Sequence, residues 1–178
     1  HAQYWTARAD GGGTEIMEAA DHRAGLTAMT GRSIGQDGMS SIFTVLLDAR
    51  GDTLWQRRET MPHDAFGTDI RITLDGGALV AAAWWTPQSW RSMLLRYDAG
   101  GDVSWRRQIT FGFPSAAQYP RAVELLDDGS SVLLCRGYEG SAASSLLVAT
   151  GTDGAPLWEA KETAATLTGL CRRGSGVA

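Results

Sequence analysis

The sequence predicts an all-β protein made of repeated antiparallel units, and three observations support this prediction. Tryptophans recur at nearly constant spacing, the segments between them align with one another, and patterns typical of helices are almost absent. The recurring tryptophans, separated by 50, 50 and 53 residues, are Trp5, Trp55, Trp105 and Trp158. They divide a single repeat domain, 1–178, into units of approximately 5–54, 55–104, 105–157 and an incomplete 158–178.

Each unit is expected to contain four short strands. In the second unit, Ile70, Ile72 and Leu74 alternate with polar residues, which is the period of a half-buried strand. The Asp-Gly-Gly turn at 75–77 then reverses the chain, because glycine accepts positive φ without strain. A four-stranded unit of about 50 residues has the size of one β-propeller blade. The expected fold is therefore a partial β-propeller of about three and a half four-stranded antiparallel blades.

The repeated tryptophan has a predicted structural role. It stands at the start of a strand just past a Gly-Asp hairpin, as in "LLDARGDTLW" (46–55) and "LRYDAGGDVSW" (95–105). A large apolar ring at this point is expected to fill the space between neighbouring blades. After "ALVAAA", the second unit is expected to continue with a linker that carries Trp84, Trp85 and Trp90.

One segment has a helical alternative. The residues 14–29, "TEIMEAADHRAGLTAM", are rich in Glu, Met and Ala, which favour helix. Gly25 interrupts this pattern, and the segment aligns with predicted strands of the later units. We therefore predict strands here.

A longer motif runs over nearly the whole chain and is carried by Asp64-Ala65, Ile72, Asp75-Gly76-Gly77, Asp98, Gly101 and Trp105. This motif resembles the bacterial repeat propellers related to the quinoprotein (PQQ-like) superfamily. The resemblance implies a propeller that serves as a secreted or surface-exposed scaffold. The tryptophan-docking motif of quinoprotein dehydrogenases is not matched, because Asp and Gly stand one residue too close at 48–51 and 98–101. The resemblance therefore implies no cofactor.

Composition excludes several classes of function. A net charge of −4 argues against a nucleic-acid surface, and no apolar run approaches the roughly 18 residues of a membrane span. Ala2 suits the cleavage site of a removed secretory signal, which favours a periplasmic or extracellular location. No metal-binding motif occurs, and Cys135 and Cys171 fall in different strand positions, so buried thiols are expected rather than a disulfide.

Three short motifs have simpler explanations than catalysis or recognition. "GRSIG" (31–35) matches a hydrolase nucleophile motif but lacks the following helix, so a loop between strands is expected. "RGD" (50–52) matches an adhesion tripeptide but stands where the next unit has its Gly-Asp turn. Asp127-Asp128 is expected to belong to a hairpin turn rather than to a pair of catalytic acids.

The segment "AAAWWTPQSW" (81–90) has no aromatic counterpart of this density in the other units. Exposed tryptophans stack on sugar rings or on a protein partner, whereas buried ones fill the core. We select Trp85 and Trp90 as candidate ligand-binding residues for a protein or glycan partner.

The predicted function is a non-catalytic scaffold or binding module, without catalytic or metal-binding residues. The alternative is a fragment of a quinoprotein-like dehydrogenase or of a carbohydrate-active propeller enzyme. An enzyme needs a central cluster of acids or bases, and the corresponding positions hold Glu15, Asp69 and Arg121, which are mixed in charge. An incomplete ring leaves strand edges unpaired. Three explanations of the unpaired edges are open. The chain is a fragment that lacks further blades, it forms a homo-oligomer, or its last part-blade pairs with the first.

Overall fold

The computed structural model describes residues 13–110, 117–139, 142–162, 167–173 and 176–177. All regular secondary structure in these residues is β-strand, and twelve strands form three four-stranded antiparallel sheets. Each sheet uses four consecutive strands in sequence order, as a propeller blade does. The all-β, partial β-propeller prediction is therefore confirmed, while Trp5 lies outside the described residues.

The three sheets are called blades 1, 2 and 3. Blade 1 contains β1 (Thr14–Arg23), β2 (Leu26–Ile34), β3 (Ser40–Leu47) and β4 (Thr53–Glu59). Blade 2 contains β5 (Ala65–Ile72), β6 (Ala78–Trp85), β7 (Trp90–Tyr97) and β8 (Val103–Ile109). Blade 3 contains β9 (Ala117–Leu125), β10 (Ser131–Glu139), β11 (Ala142–Thr150) and β12 (Pro156–Glu162). A short hairpin of β13 (Arg172–Arg173) and β14 (Gly176–Val177) follows.

The segment with the helical alternative forms two strands. β1 pairs with β2 from Thr14 opposite Ile34 to Arg23 opposite Leu26, so its backbone groups are satisfied by the ladder. The connecting turn has Ala24 at φ 50° and Gly25 at φ 81°. Two successive positive φ values are those of a two-residue type I′ hairpin turn. The strand prediction is confirmed, because Gly25 closes a hairpin instead of interrupting a helix.

The blades are held together by two apolar clusters, each shared by consecutive blades. The first cluster joins blade 1 to blade 2 through residues such as Ile42, Ile70 and Leu95, and the second joins blade 2 to blade 3 through residues such as Leu94 and Leu133. The first strand of each blade packs against the preceding blade: β5 on β1 and β2, and β9 on β5 and β6. Sheets covered on both faces explain the near-continuous apolar runs in the sequence.

Carboxylates on the first strands connect the blades in addition to apolar packing. The Ile72 amide donates to Asp21 Oδ2 at 2.7 Å, and the Val123 amide donates to Asp69 Oδ2 at 2.8 Å. Arg71 lies between two acids, 2.8 Å from Asp69 and 3.2 Å from Glu124 on the next blade. The two amide bonds and the Arg71–Glu124 pair join β1 to β5 or β5 to β9, whereas the Arg71–Asp69 pair lies within β5. The first strands therefore form a hydrogen-bonded series from blade to blade.

The turn between the third and fourth strands has the same geometry in all three blades. Gly51, Gly101 and Gly154 have φ values of 86°, 83° and 77°, and each amide donates to the carbonyl three residues earlier. In blade 1 the Asp48 carboxylate also accepts from the amide of Asp52 at 2.9 Å. The predicted turn at "RGD" is confirmed, because the glycine supplies the positive φ that the turn requires.

Trp55 and Trp105 occupy the fourth strands of blades 1 and 2, and each reaches the turn of the next blade. Trp55 Nε1 donates to the Ala99 carbonyl at 3.1 Å, and a Cβ on Gly101 would stand 2.7 Å from the indole ring. Trp105 Nε1 donates in the same way to the Thr152 carbonyl at 3.1 Å. The glycine is therefore required twice over, for its φ and for the close approach of the indole.

Trp158 occupies the corresponding position in blade 3 but has a different environment. It is 51% exposed, whereas Trp55 is 6% exposed. Every residue of β12 is exposed, in contrast to the partly buried β4 and β8. Blade 3 therefore exposes its fourth strand. In blades 1 and 2, the corresponding surface is covered by the following blade.

Candidate functional site

The predicted binding residues Trp85 and Trp90 are neighbours across the β6–β7 hairpin. They are paired residues of the two strands, and their rings meet edge to face with centroids 5.5 Å apart. The turn at 86–89 closes when the Thr86 amide and hydroxyl both donate to the Ser89 carbonyl, at 2.9 and 2.8 Å. The expected linker through these tryptophans is wrong, because strand pairing continues to both of them and only four residues form the turn.

These two residues belong to a longer set of ring contacts that spans blades 2 and 3. We call this set the aromatic row; it consists of Phe66, Trp85, Trp90, Tyr119 and Tyr138. Trp90 lies at its centre, with centroid distances of 5.3 Å to Phe66 and 5.6 Å to Tyr119. Tyr119 in turn meets Tyr138 edge-on at 6.1 Å. The spacings are those of attractive aromatic pairs, so the row is a contiguous surface.

The aromatic row lies at one end of the strands. Phe66 and Tyr119 stand near the start of the first strands of blades 2 and 3, whereas Trp85 and Tyr138 stand near the end of the second strands. The glycine turns that receive the tryptophan wedges lie at the opposite end. All five rings are partly exposed, and Trp85 is 36% exposed. The rings are therefore accessible to a ligand.

Guanidinium groups flank the row. Arg32 lies 5.6 Å from the Phe66 ring centroid, and Arg136 lies 5.2 Å from that of Tyr138, both within the range of cation–π attraction. Arg121 and Arg136 line a cavity of about 500 Å³ beside Tyr119 and Tyr138. This size accommodates a small ligand.

Hydrogen-bonding groups accompany the apolar rings. Partial burial, together with the neighbouring Tyr138, raises the pKa of Tyr119, so its hydroxyl stays protonated at neutral pH. A protonated phenol both donates and accepts hydrogen bonds. Arg136 Nε is buried without a hydrogen-bond partner. The surface thus combines ring edges and faces with donors held at its margin.

The sequence spacing predicts that Glu15, Asp69 and Arg121 are corresponding positions of the three units, and the structure shows that they do not correspond. Register shifts place Glu18, Thr68 and Arg121 at the bulges of β1, β5 and β9, and these are the corresponding residues. Glu15 and Asp69 do not correspond to Arg121, because they stand on either side of their own bulges. Glu15 accepts from the Ser33 hydroxyl at 2.8 Å, and Asp69 binds the backbone of the next blade.

The three bulge residues line one small cavity. It has a volume of about 160 Å³, is bounded also by Phe66 and Pro120, and adjoins the aromatic row. Glu18 is paired with Arg32 at 3.2 Å. A β-bulge turns the side chain of its extra residue away from the regular alternation, which explains why three blades each contribute one residue here.

Sequence reasoning missed Phe66, Tyr119 and Tyr138. Phe66 and Tyr119 both stand two residues before a bulge, and Tyr138 stands in the hairpin position that Trp85 occupies in blade 2. Aligning the units on the bulges, rather than on the repeated tryptophans alone, would have revealed that an aromatic residue recurs at these positions.

The "GRSIG" segment is part of a strand and not the expected loop. Ser33 is buried in β2, where its hydroxyl donates to Glu15 and accepts from Arg58 at 2.5 Å. Asp128 lies in the predicted hairpin turn, where its carboxylate accepts from the Ser130 amide at 2.9 Å. The turn prediction for Asp127-Asp128 is therefore confirmed.

Cys135 and Cys171 do not form a disulfide, as expected, but only one of the two thiols is buried. Cys135 is fully buried in the cluster between blades 2 and 3, and burial raises its pKa to about 12. The expectation of burial is wrong for Cys171, which is exposed. It follows Leu167, whose amide donates to Ser145 Oγ at 2.8 Å. The segment after blade 3 thus returns to β11 without covering this thiol.

A third cavity lies at the glycine-turn end of blades 2 and 3. It has a volume of about 350 Å³, and its walls include Thr73, Asp75, Arg96 and Thr152. Partial burial of Asp75 opposes ionisation, but hydrogen bonds from Arg96 and Thr73 lower its pKa to about 2. The acid and the arginine are bound to each other, so this cavity offers a ligand fewer unpaired groups than the end with the aromatic row.

Within the described ranges, no group of three or more His, Cys, Asp or Glu residues is placed to hold a metal ion. No helix suited to crossing a bilayer occurs in the same residues. Fold and surface together define the class of protein: a partial β-propeller with an aromatic surface at one end of two adjacent blades.

No family model matches the chain, and no curated protein matches it. Solved structures do match. An endo-arabinase from Bacteroides thetaiotaomicron VPI-5482 has 11% sequence identity and a TM-score of 0.59, over 91% of this chain and 66% of the endo-arabinase. A eukaryotic initiation factor has 12% identity and a TM-score of 0.54, over 89% of this chain and 35% of the factor.

A Bacteroides caccae protein of unknown function has 14% identity and a TM-score of 0.45, over 81% of this chain and 60% of that one. The chain thus spans between about a third and two thirds of these three proteins. At these identities the likeness shows the fold alone, and the endo-arabinase is a β-propeller. Membership of the quinoprotein-related repeat propellers stays a prediction.

Proposed function

We propose that the protein is a non-catalytic binding module and that the aromatic row holds a glycan ligand. The observation that carries this proposal is the contiguous contact of five partly exposed rings across two blades. A pyranose ring has an apolar C–H face and hydroxyl groups at its rim. A surface of aromatic rings with a few polar groups at its margin matches this pattern.

The margin of the row supports a polar ligand of this kind. Arg121, Arg136 and the Tyr119 hydroxyl offer donors beside the rings, in a cavity of about 500 Å³. Glycan binding is compatible with a periplasmic or extracellular location. That location is part of the proposal.

Binding is favoured over glycoside hydrolysis by the state of the nearby acids. Glycosidases generally place two carboxyl groups across the scissile bond, roughly 5 to 9.5 Å apart. Glu18 is the only carboxylate among the described residues that line the two cavities beside the aromatic row. It is paired with Arg32. Glu15 and Asp69 are engaged in hydrogen bonds within and between blades.

The test measures binding of the full chain to a panel of neutral and acidic oligosaccharides, with intrinsic tryptophan fluorescence and calorimetry as the readouts. Trp90→Ala should abolish binding, because it removes the central ring, and Trp85→Ala should weaken it. Trp84→Phe is the matched control, since Trp84 points from the same strand toward the core between blades 1 and 2. Equal binding by wild type and Trp90→Ala would contradict the proposal, and hydrolysis of a bound glycan would replace it with the enzyme alternative.

A further inference from the structure

Blade 3 ends in a tryptophan wedge, Trp158, that is about half exposed. Trp55 and Trp105 each donate an indole N–H to the third-to-fourth-strand turn of the following blade, at 3.1 Å in both cases. Trp158 has the same place in β12 but is 51% exposed. Its neighbour Leu157 is 64% exposed, although this position is exposed in blade 1 as well. The chain thus carries one wedge more than its three described blades use.

Blade 1 carries a matching turn that is less covered than the other two. The turn at 48–52 has the same hydrogen bonds as the turn at 98–102, with a 3.0 Å bond from the glycine amide in each. Gly51 has the same positive φ as Gly101 and Gly154. Gly101 and Gly154 are buried beneath an indole, whereas Gly51 is only half-buried. Among the described residues, blade 1 thus has a partly exposed turn and blade 3 has a half-exposed wedge.

The two open surfaces are also complementary in size. Two residues after Trp55, Arg57 extends over the next turn and donates to the Gly100 carbonyl at 3.0 Å. Arg107 has the same place after Trp105. Two residues after Trp158 stands the short Ala160, and the turn of blade 1 has the long Arg50 where blade 2 has Gly100. The long Arg50 would face the short Ala160, whereas in the observed junction the long Arg57 faces Gly100. The two pairs are therefore of similar combined size.

We propose that Trp158 docks into the turn at 48–52 of a second copy of this chain. This contact is head-to-tail and closes into a ring when the second copy returns the same contact. The two sets of three blades give six blades, which is within the usual range of closed propellers. Ile16 and Met17 on β1, each more than a third exposed, lie on the blade that would be covered.

The wild-type chain is tested by light scattering coupled to size-exclusion chromatography over a series of concentrations. The apparent mass should rise toward twice the 19.0 kDa of one chain. Trp158→Ala should return it to that of one chain at every concentration, and Trp158→Phe should weaken association by losing the indole donor. Leu157→Ala is the control, because it removes an exposed apolar residue beside the wedge and should leave the mass unchanged.

A mixing experiment separates docking from a folding defect. Gly51→Val removes the receptor in one chain, and Trp158→Ala removes the wedge in the other. Each variant alone should be monomeric, whereas an equimolar mixture should restore the mass of two chains through one intact junction. A misfolded variant would not be rescued in this way.

Two outcomes would overturn the proposal. One is a wild-type mass of a single chain at every soluble concentration. The other is a dimer that Trp158→Ala leaves intact. Glycan binding by a monomeric chain would leave the proposed function standing, so the two proposals fail separately.

Discussion

Replacing Trp55 with alanine tests whether the repeated tryptophan holds blades together. An aromatic side chain buries about 150–250 Å², and at about 25 cal/mol per Å² this contributes about 4–6 kcal/mol. Trp55 is 6% exposed, so nearly all of that area is involved. The indole bond to the Ala99 carbonyl adds about 1 kcal/mol. Because buried Trp→Ala changes generally cost about 3–5 kcal/mol, we expect a loss of that size in the free energy of unfolding.

Trp158→Ala is the internal comparison. The side chain has the same sequence context but is 51% exposed. About half of the area is then involved, and the cost should fall to about 2–3 kcal/mol. Urea unfolding followed by far-UV circular dichroism measures both variants, at concentrations low enough to keep the chain monomeric. The slope against urea shows whether each variant still unfolds in one step.

A graded variant keeps this comparison measurable. Domains are stable by only about 5–15 kcal/mol, so Trp55→Ala alone is liable to unfold the chain. Trp55→Phe keeps much of the ring and loses the N–H donor, and it should cost less than the alanine variant but more than Trp158→Phe. Equal losses at the two positions would refute the reasoning, because burial against the next blade would then make no difference.

Three further predictions concern single groups. Gly101→Ala should destabilise the protein more than Gly38→Ala, measured by thermal unfolding: both glycines have φ near 80°, but a Cβ at Gly38 meets nothing within 4 Å, whereas one at Gly101 meets the indole. The lowered pKa of Asp75 gives stability that is present above the ordinary carboxyl pKa and is lost as the pH falls toward about 2, so Asp75→Asn should flatten unfolding midpoints measured across that interval. A thiol reagent at pH 8 should label Cys171 quickly and Cys135 only after unfolding, because the Cys135 thiol is buried with a pKa of about 12; rapid labelling of both thiols in the folded chain would contradict the packing of blades 2 and 3.

The repeat and its turns could be predicted from the sequence because both depend on local chemistry. A glycine at positive φ followed four residues later by a tryptophan, as at Gly101 and Trp105, is visible in one short segment. The starting point of a blade is not visible in this way. The sequence units begin at each tryptophan, whereas in the structure the tryptophan belongs to the last strand of its sheet. Which strand comes first in a sheet is decided by packing between distant segments.

The inner residues show how one extra residue defeats prediction by spacing. Thr68 stands at a bulge of β5, so the alternation of inward and outward side chains changes there. Asp69 and Arg121 occupy similar places when counted from the tryptophans, but Arg121 is the extra residue of the β9 bulge, whereas Asp69 follows the extra residue of the β5 bulge. A bulge leaves no reliable signal in a single sequence, because it depends on the pairing of the neighbouring strand.

The aromatic row could be predicted only in part, for a related reason. Trp85 and Trp90 are close in sequence, and a hairpin brings them together. The contact between Trp90 and Tyr119 joins two blades, and its existence depends on how the first strand of blade 3 packs against blade 2. Composition shows that aromatic residues are available, but only the packing of the blades places them in one surface.

The two ends of the blades are subject to different constraints, and this difference explains why the candidate site lies where it does. At the glycine-turn end, a turn that receives the indole of the preceding blade needs a glycine such as Gly101, and a carbonyl such as that of Ala99 accepts the indole N–H. At the other end, the described β6–β7 hairpin receives no wedge. Its residues are therefore not restricted by a wedge, and the bulky rings of Trp85 and Trp90 stand there. Side chains that the fold does not need are the ones that remain available for a ligand.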